Sequence, residues 1–127
     1  MDNSGNNIKA NAIDFLQLTA TGSINEAYYL YVAEEFRHHN MHFKGDAASL
    51  KAAMQESAIH LPAKQLEIQF AIAEGNMVAV YSRVVISPGE PGVALVHFFR
   101  FRDDKIIELW DMAQAPSDEF VNENGMF

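Results

Sequence analysis

The sequence predicts an α+β domain, on three observations. Apolar residues recur at helical spacing between residues 8 and 58. From Gln65 onward the period changes to two. Turn-forming stretches, Gly75-Asn76, PGEPG at 88–92 and RDDK at 102–105, then divide the second half into strand-length pieces. Helices followed by strands in hairpin order give helices packed on one face of an antiparallel sheet. A length of 127 residues suits one domain, read as 1–127, with a core that needs no covalent staples.

The first helix is expected from Ile8, Ala12, Phe15, Leu16 and Thr19, which share a stripe, and Gly22 is its stop. Ser23-Ile24-Asn25-Glu26 reads as a capping box opening a second helix, INEAYYLYVAEEF. HHNMHF has no helical stripe and is expected to run extended. Asp46 can cap a third helix, with Leu50, Ala53, Met54, Ser57 and Ala58 on one face, and Pro62 ends that pattern. Four strands are expected: one from Gln65, then MVAVYSRVVIS, VALVHFFRFR and IIELWDMAQ. In the first of these, Leu66, Ile68, Phe70 and Ile72 alternate with Gln65, Glu67, Gln69 and Ala71. Strands of this length imply a strongly bent sheet.

Composition removes several function classes. There is no cysteine, so disulfides, thiolate metal sites and cysteine nucleophiles are excluded. The net charge of -8 disfavours binding to phosphate backbones, so no nucleic-acid partner is expected. The opening MDNSGNNIKANAID lacks the basic-then-apolar pattern of a secretory signal, and no run is long and apolar enough to span a membrane. A soluble, cytoplasmic protein is expected.

Strand parity identifies the most informative residues. Val93, Leu95, His97, Phe99 and Phe101 share one face of their strand, and Arg100 and Arg102 lie on the other. On the next strand Ile107, Leu109, Asp111 and Ala113 oppose Ile106, Glu108, Trp110 and Met112. With a three-residue hairpin loop, His97 and Asp111 both face the helices, directly opposite or diagonal to one another. A carboxyl group in an apolar cup beside an imidazole can exchange protons near neutrality. A buried structural pair is the other reading, and parity alone leaves both open.

FRHHNMHFKG and FFRFRDDKIIELWDMAQ resemble motifs of the SnoaL-like polyketide cyclase family, within the NTF2-like superfamily, and the terminal NGMF resembles the ending of a branch described as aldol-condensation enzymes. The resemblance implies a cone of three N-terminal helices on a strongly curved antiparallel sheet, enclosing a pocket. It implies general acid/base catalysis of an aldol closure by Asp111, with His97 nearby and no metal or cofactor. It also implies that His39 and Asn40 line the pocket. Four positions depart from the motifs: Leu109 replaces a histidine, His38 a glutamine, Met41 a proline and Asp104 a turn glycine. Asp104 would then occupy the left-handed region.

Tyr28 and Tyr31 are candidates to donate to a substrate oxygen, or are core residues with a hydroxyl at the edge. Met54, Phe43, Phe99 and Leu109 are candidate pocket wall. Glu35 would reach the pocket rim or emerge into water. His38, His39 and His42 form an H-H-x-x-H cluster, but neighbours on an extended segment face opposite ways, so no metal site is expected. Trp110, Phe98, Val96, Met112 and Ile106 form an apolar outer face, expected to pair with a second copy or to be covered by the tail. The tail could equally close the pocket mouth. The expected function is a cofactor-independent cyclase, isomerase or lyase acting on a small apolar carbonyl compound. The alternative is a non-catalytic cone that binds a small molecule or dimerises.

Overall fold

The computed structural model describes residues 4–127, with side chains from residue 7 onward. The first three residues of the amino-terminal stretch and of the 1–127 domain reading lie outside it. The elements run α1 (Ser4–Ala20), α2 (Ile24–Tyr31), β1 (Val32–His38), α3 (Ala47–His60), β2 (Gln65–Glu74), β3 (Met77–Val85), β4 (Val93–Arg102) and β5 (Lys105–Gln114). They form an α+β domain with three helices on a five-stranded sheet of order β1-β5-β4-β3-β2.

The core is the helical stripe meeting the inner face of the sheet. Ile8, Ala12, Phe15 and Leu16 of α1 and Ile24, Ala27 and Tyr28 of α2 pack with Val78, Val80, Phe99, Phe101, Ile106 and Leu109. Gly22, at φ 90°, ends α1 in the left-handed conformation that lets the Ser23 N–H reach back to the Leu18 carbonyl at 2.9 Å. Ser23 is the N-cap of α2 but makes no side-chain capping bond, so the capping box does not form. Asp46 does cap α3, accepting from the Ser49 N–H at 3.0 Å.

The sheet departs from expectation at three places. The expected second helix ends at Tyr31, and VAEEFRH continues as β1, which pairs parallel with β5. The sheet is therefore mixed, with one parallel pair at its edge. Glu35, now on a strand, pairs with Arg102. The second departure is a bulge in β2 between Ile68 and Phe70. Because an extra residue reverses all later side chains, Phe70 and Ile72 turn outward while Ala71 and Ala73 pack on the core.

The third departure is on β5. Arg102 pairs with Lys105, so the hairpin loop is only Asp103-Asp104, and Asp103, not Asp104, has positive φ, at 56°. A bulge at Ile107 then restores the register, pairing Arg100 with Glu108 and Phe101 with Ile106. Ile106 moves into the core and leaves the outer face.

Beyond the bulge the alternation is unbroken, and His97 lies directly opposite Asp111. The tail turns to the outer face, where Tyr81 Oη donates to the Met126 carbonyl at 2.5 Å and Phe127 packs on the Tyr81 ring at 6.0 Å. Among the described residues, no helix is long and apolar enough to cross a membrane.

Candidate functional site

A cavity of about 340 Å³ opens between the end of α1, the inner side of α3 and the inner face of the sheet. Its walls are mostly apolar, from Leu16, Phe43, Leu50, Ala53, Met54, Leu66, Val84 and Leu95. His97 and Asp111 line it together with Asn40, Thr19, Ser57 and Lys64. Mostly apolar walls with a few convergent polar groups characterise small-molecule sites.

Asp111 is held in place from outside the sheet. The Asn40 amide donates to both carboxylate oxygens, with Nδ2 3.1 Å from each. Asn40 is in turn fixed by its loop. Its carbonyl oxygen accepts from the His42 N–H at 3.0 Å, and its own N–H donates to His38 Nδ1 at 3.1 Å. Because His38 Nδ1 accepts, the ring proton sits on Nε2, which donates to the Lys44 carbonyl at 2.5 Å. His38 is buried. It thus staples the 39–45 loop that presents Asn40.

His97 is buried, 7% exposed, and its ring stacks on Phe99 with 5.8 Å between centroids. Burial holds its pKa well below the ordinary imidazole value, and the neighbouring Asp111 opposes that pull only in part. Its Nδ1 is sealed and without a hydrogen-bond partner among the described residues. Ser82 Oγ, on the inner face of β3 one diagonal step away, is also buried and unpartnered among them.

The other sequence candidates divide by position. Asn40 and Met54 reach the cavity. Tyr28 lies behind Met54, with its hydroxyl 3.4 Å from the Met54 sulfur and its ring against Phe15, and burial raises its pKa. Tyr31 donates to Asp14 Oδ2 at 2.5 Å, a bond between α2 and α1 that raises its pKa to about 12. Phe99 and Leu109 are fully buried in the core beneath the cavity.

His39 faces the opposite side of the sheet. Its ring stacks on Trp110 at 5.0 Å, and its Nε2 lies 2.6 Å from Glu108. Glu108 is the centre of an ion cluster that parity alone did not reveal. Arg37 Nε at 2.9 Å and Arg100 Nη1 at 2.8 Å also donate to its carboxylate, lowering its pKa to about 2. The signal was present as the cross-strand partnership of Arg100 with Glu108. His38, His39 and His42 are turned to three different surroundings, one buried, one on Glu108 and one exposed. Lys64, at the entrance, was also missed, and its only sequence signal was its place just before an apolar strand.

Solved structures share the fold. AclR from Streptomyces galilaeus, described as a candidate hydroxylase, superposes with a TM-score of 0.74 at 21% identity, covering 87% of this chain and 81% of its own. A candidate ketosteroid isomerase from Kribbella flavida gives 0.74 at 18% identity, covering 94% and 86%. A candidate polyketide cyclase from Bacillus cereus gives 0.73 at 20% identity, covering 85% and 74%. At these identities the likeness is one of fold. No curated protein matches the sequence. Residues 7–109 match the SnoaL-like domain, and this chain belongs to that family.

Proposed function

We propose that the protein is a proton-transfer enzyme acting on a small, largely apolar carbonyl compound, as an aldol cyclase, isomerase or lyase. The observation that carries this is the cross-strand pair of Asp111 and His97, both lining one mostly apolar cavity. Asp111 takes a proton from the carbon next to the carbonyl and returns it at a later step. Asn40 positions Asp111 by binding both of its oxygens.

His97 acts as a neutral donor. An unpartnered Nδ1 costs less as a bare lone pair than as a buried N–H, which puts the ring proton on Nε2. A neutral imidazole can hydrogen-bond the developing enolate oxygen without first surrendering a charge. The descriptions of two structural neighbours, a candidate ketosteroid isomerase and a candidate polyketide cyclase, support the same reading.

The test is Asp111→Asn, with turnover and ligand affinity measured separately. Turnover is expected to fall by about a hundredfold or more while affinity is retained, since the shape is nearly unchanged. Turnover that persists would remove Asp111 as the group that moves the proton, and a wild-type protein that binds such ligands without turning them over would leave the cone as a binding or dimerisation module.

For assembly, we propose that the outer face of the sheet meets that of a second copy. Phe70, Ile72 and Met112 stand 56%, 61% and 60% exposed there, an arrangement rare on a lone subunit.

A further inference from the structure

We infer that Lys64 is a specificity-determining residue, and that the substrate carries an anionic group, such as a carboxylate, at the end remote from its reacting carbon. The inference deepens the proton-transfer reading and rests on it for the position of the reacting carbon.

With His97 neutral, Asp111 and Lys64 alone among the described residues bring formal charge to the cavity wall. They enter from opposite sides. Asp111 is on β5, and Lys64 directly precedes β2, three strand spacings away in the order β5-β4-β3-β2. At the usual separation of neighbouring strands that is roughly 14 Å across the strands, with a further offset along them, because Gln65 pairs with Val85 whereas His97, opposite Asp111, pairs with Val80.

Lys64 is poised at the mouth. It lines both the cavity and an adjoining surface groove, formed with Gln17, Thr21, Gln65 and Glu67. Its ammonium donates to the Ser57 hydroxyl at 2.9 Å, and no carboxylate pairs with it among the described residues. Glu67, the acid that shares the groove, is turned to Arg83 at 3.6 Å. Partial burial disfavours the charged amine, lowering its pKa. A half-desolvated ammonium held by a neutral hydroxyl gains most from an incoming anion. An apolar body would fill the cavity, its carbonyl would meet His97, and its anionic end would stop at Lys64.

The experiment compares 12-oxotridecanoate, whose ten-methylene chain separates its ketone from its carboxylate, with its methyl ester by calorimetric titration of the full chain. The wild-type protein is expected to bind the carboxylate about tenfold more tightly than the ester. Lys64→Met and Lys64→Gln should abolish that preference while leaving ester affinity unchanged, and Lys64→Arg should keep it. Equal wild-type affinities, failure of both probes to bind, or a preference that survives in Lys64→Met and Lys64→Gln would overturn the inference. Asp111→Asn should retain the preference. If turnover also survives Asp111→Asn, the proton-transfer reading fails and the anion site at Lys64 stands.

Discussion

The Asn40 side-chain amide lies 3.1 Å from each oxygen of Asp111, bridging the loop after β1 to the last strand. The carboxylate is thereby aimed into the cavity before any ligand arrives. Hydrogen bonds to a charged group contribute more than neutral ones, and their loss also frees the group to rotate. Asn40→Ala is expected to lower turnover by about ten- to hundredfold while leaving the fold intact. Steady-state kinetics beside circular dichroism checks this. Unchanged turnover would remove Asn40 from the positioning role.

His97 supplies a pH dependence. Its folded pKa is below the ordinary imidazole value because burial disfavours the cation. The unfolded chain therefore binds more protons than the folded one as pH falls through the imidazole range. Stability contributed this way is fully present above about pH 6.5 and declines below it until the folded pKa is reached. His97→Gln should flatten the decline in urea midpoint between pH 7 and pH 5. The His97 imidazole resonances of the wild-type protein should titrate with a midpoint below 6.5, and an ordinary midpoint there would contradict a buried ring.

Glu108 acts in a lower window. Its depressed pKa of about 2 means that its contribution is present above the ordinary glutamate range and is lost as pH falls toward 2. Its side chain is 6% exposed, and it receives Arg37, Arg100 and His39. Glu108→Ala leaves three donors without their acceptor, and is expected to lower the melting temperature by about 5 °C or more. Turnover measured below that temperature should be unaffected, because the cluster is on the face opposite the cavity.

Phe99 separates core from pocket. It is fully buried against Phe15, with ring centroids 5.9 Å apart at near-perpendicular geometry. Phe99→Ala should cost about 3–5 kcal/mol of stability in chemical denaturation. A smaller loss accompanied by a large change in ligand affinity would return Phe99 to the pocket wall.

The outer face is tested by charge. Ile72→Lys or Met112→Lys should shift the protein from dimer to monomer in light scattering, without loss of helix or sheet signal. A wild-type protein that is monomeric at micromolar concentration would contradict the proposed assembly.

Much of the architecture was legible because helical and period-two patterns are local. Asp111 and His97 could be placed by parity because no extra residue intervenes between them and Glu108 on β5 or Arg100 on β4. The bulges were not legible. Nothing at Gln69 or Ile107 marks an extra residue, since both are ordinary strand formers or neutral there, and the hydrogen-bond ladder of the partner strand decides. The α2–β1 junction was hidden because Tyr31-Val32 carries no glycine or proline, and Val32 gains its strand conformation from pairing beside Ile106. Once β1 is recognised, alternation from Phe36 through His38 sends Asn40 inward and His39 outward. That is the correction a sequence reading of HHN could have made.

The central claim is that Asp111 moves a proton within this cavity. Deuterium incorporation from heavy water at the carbon next to a carbonyl, followed by NMR across a panel of small ketones and keto acids, tests it most directly. Catalysed exchange by the wild-type protein and its loss in Asp111→Asn, with probe affinity retained, is the expected result. Equal exchange by the two proteins would contradict it.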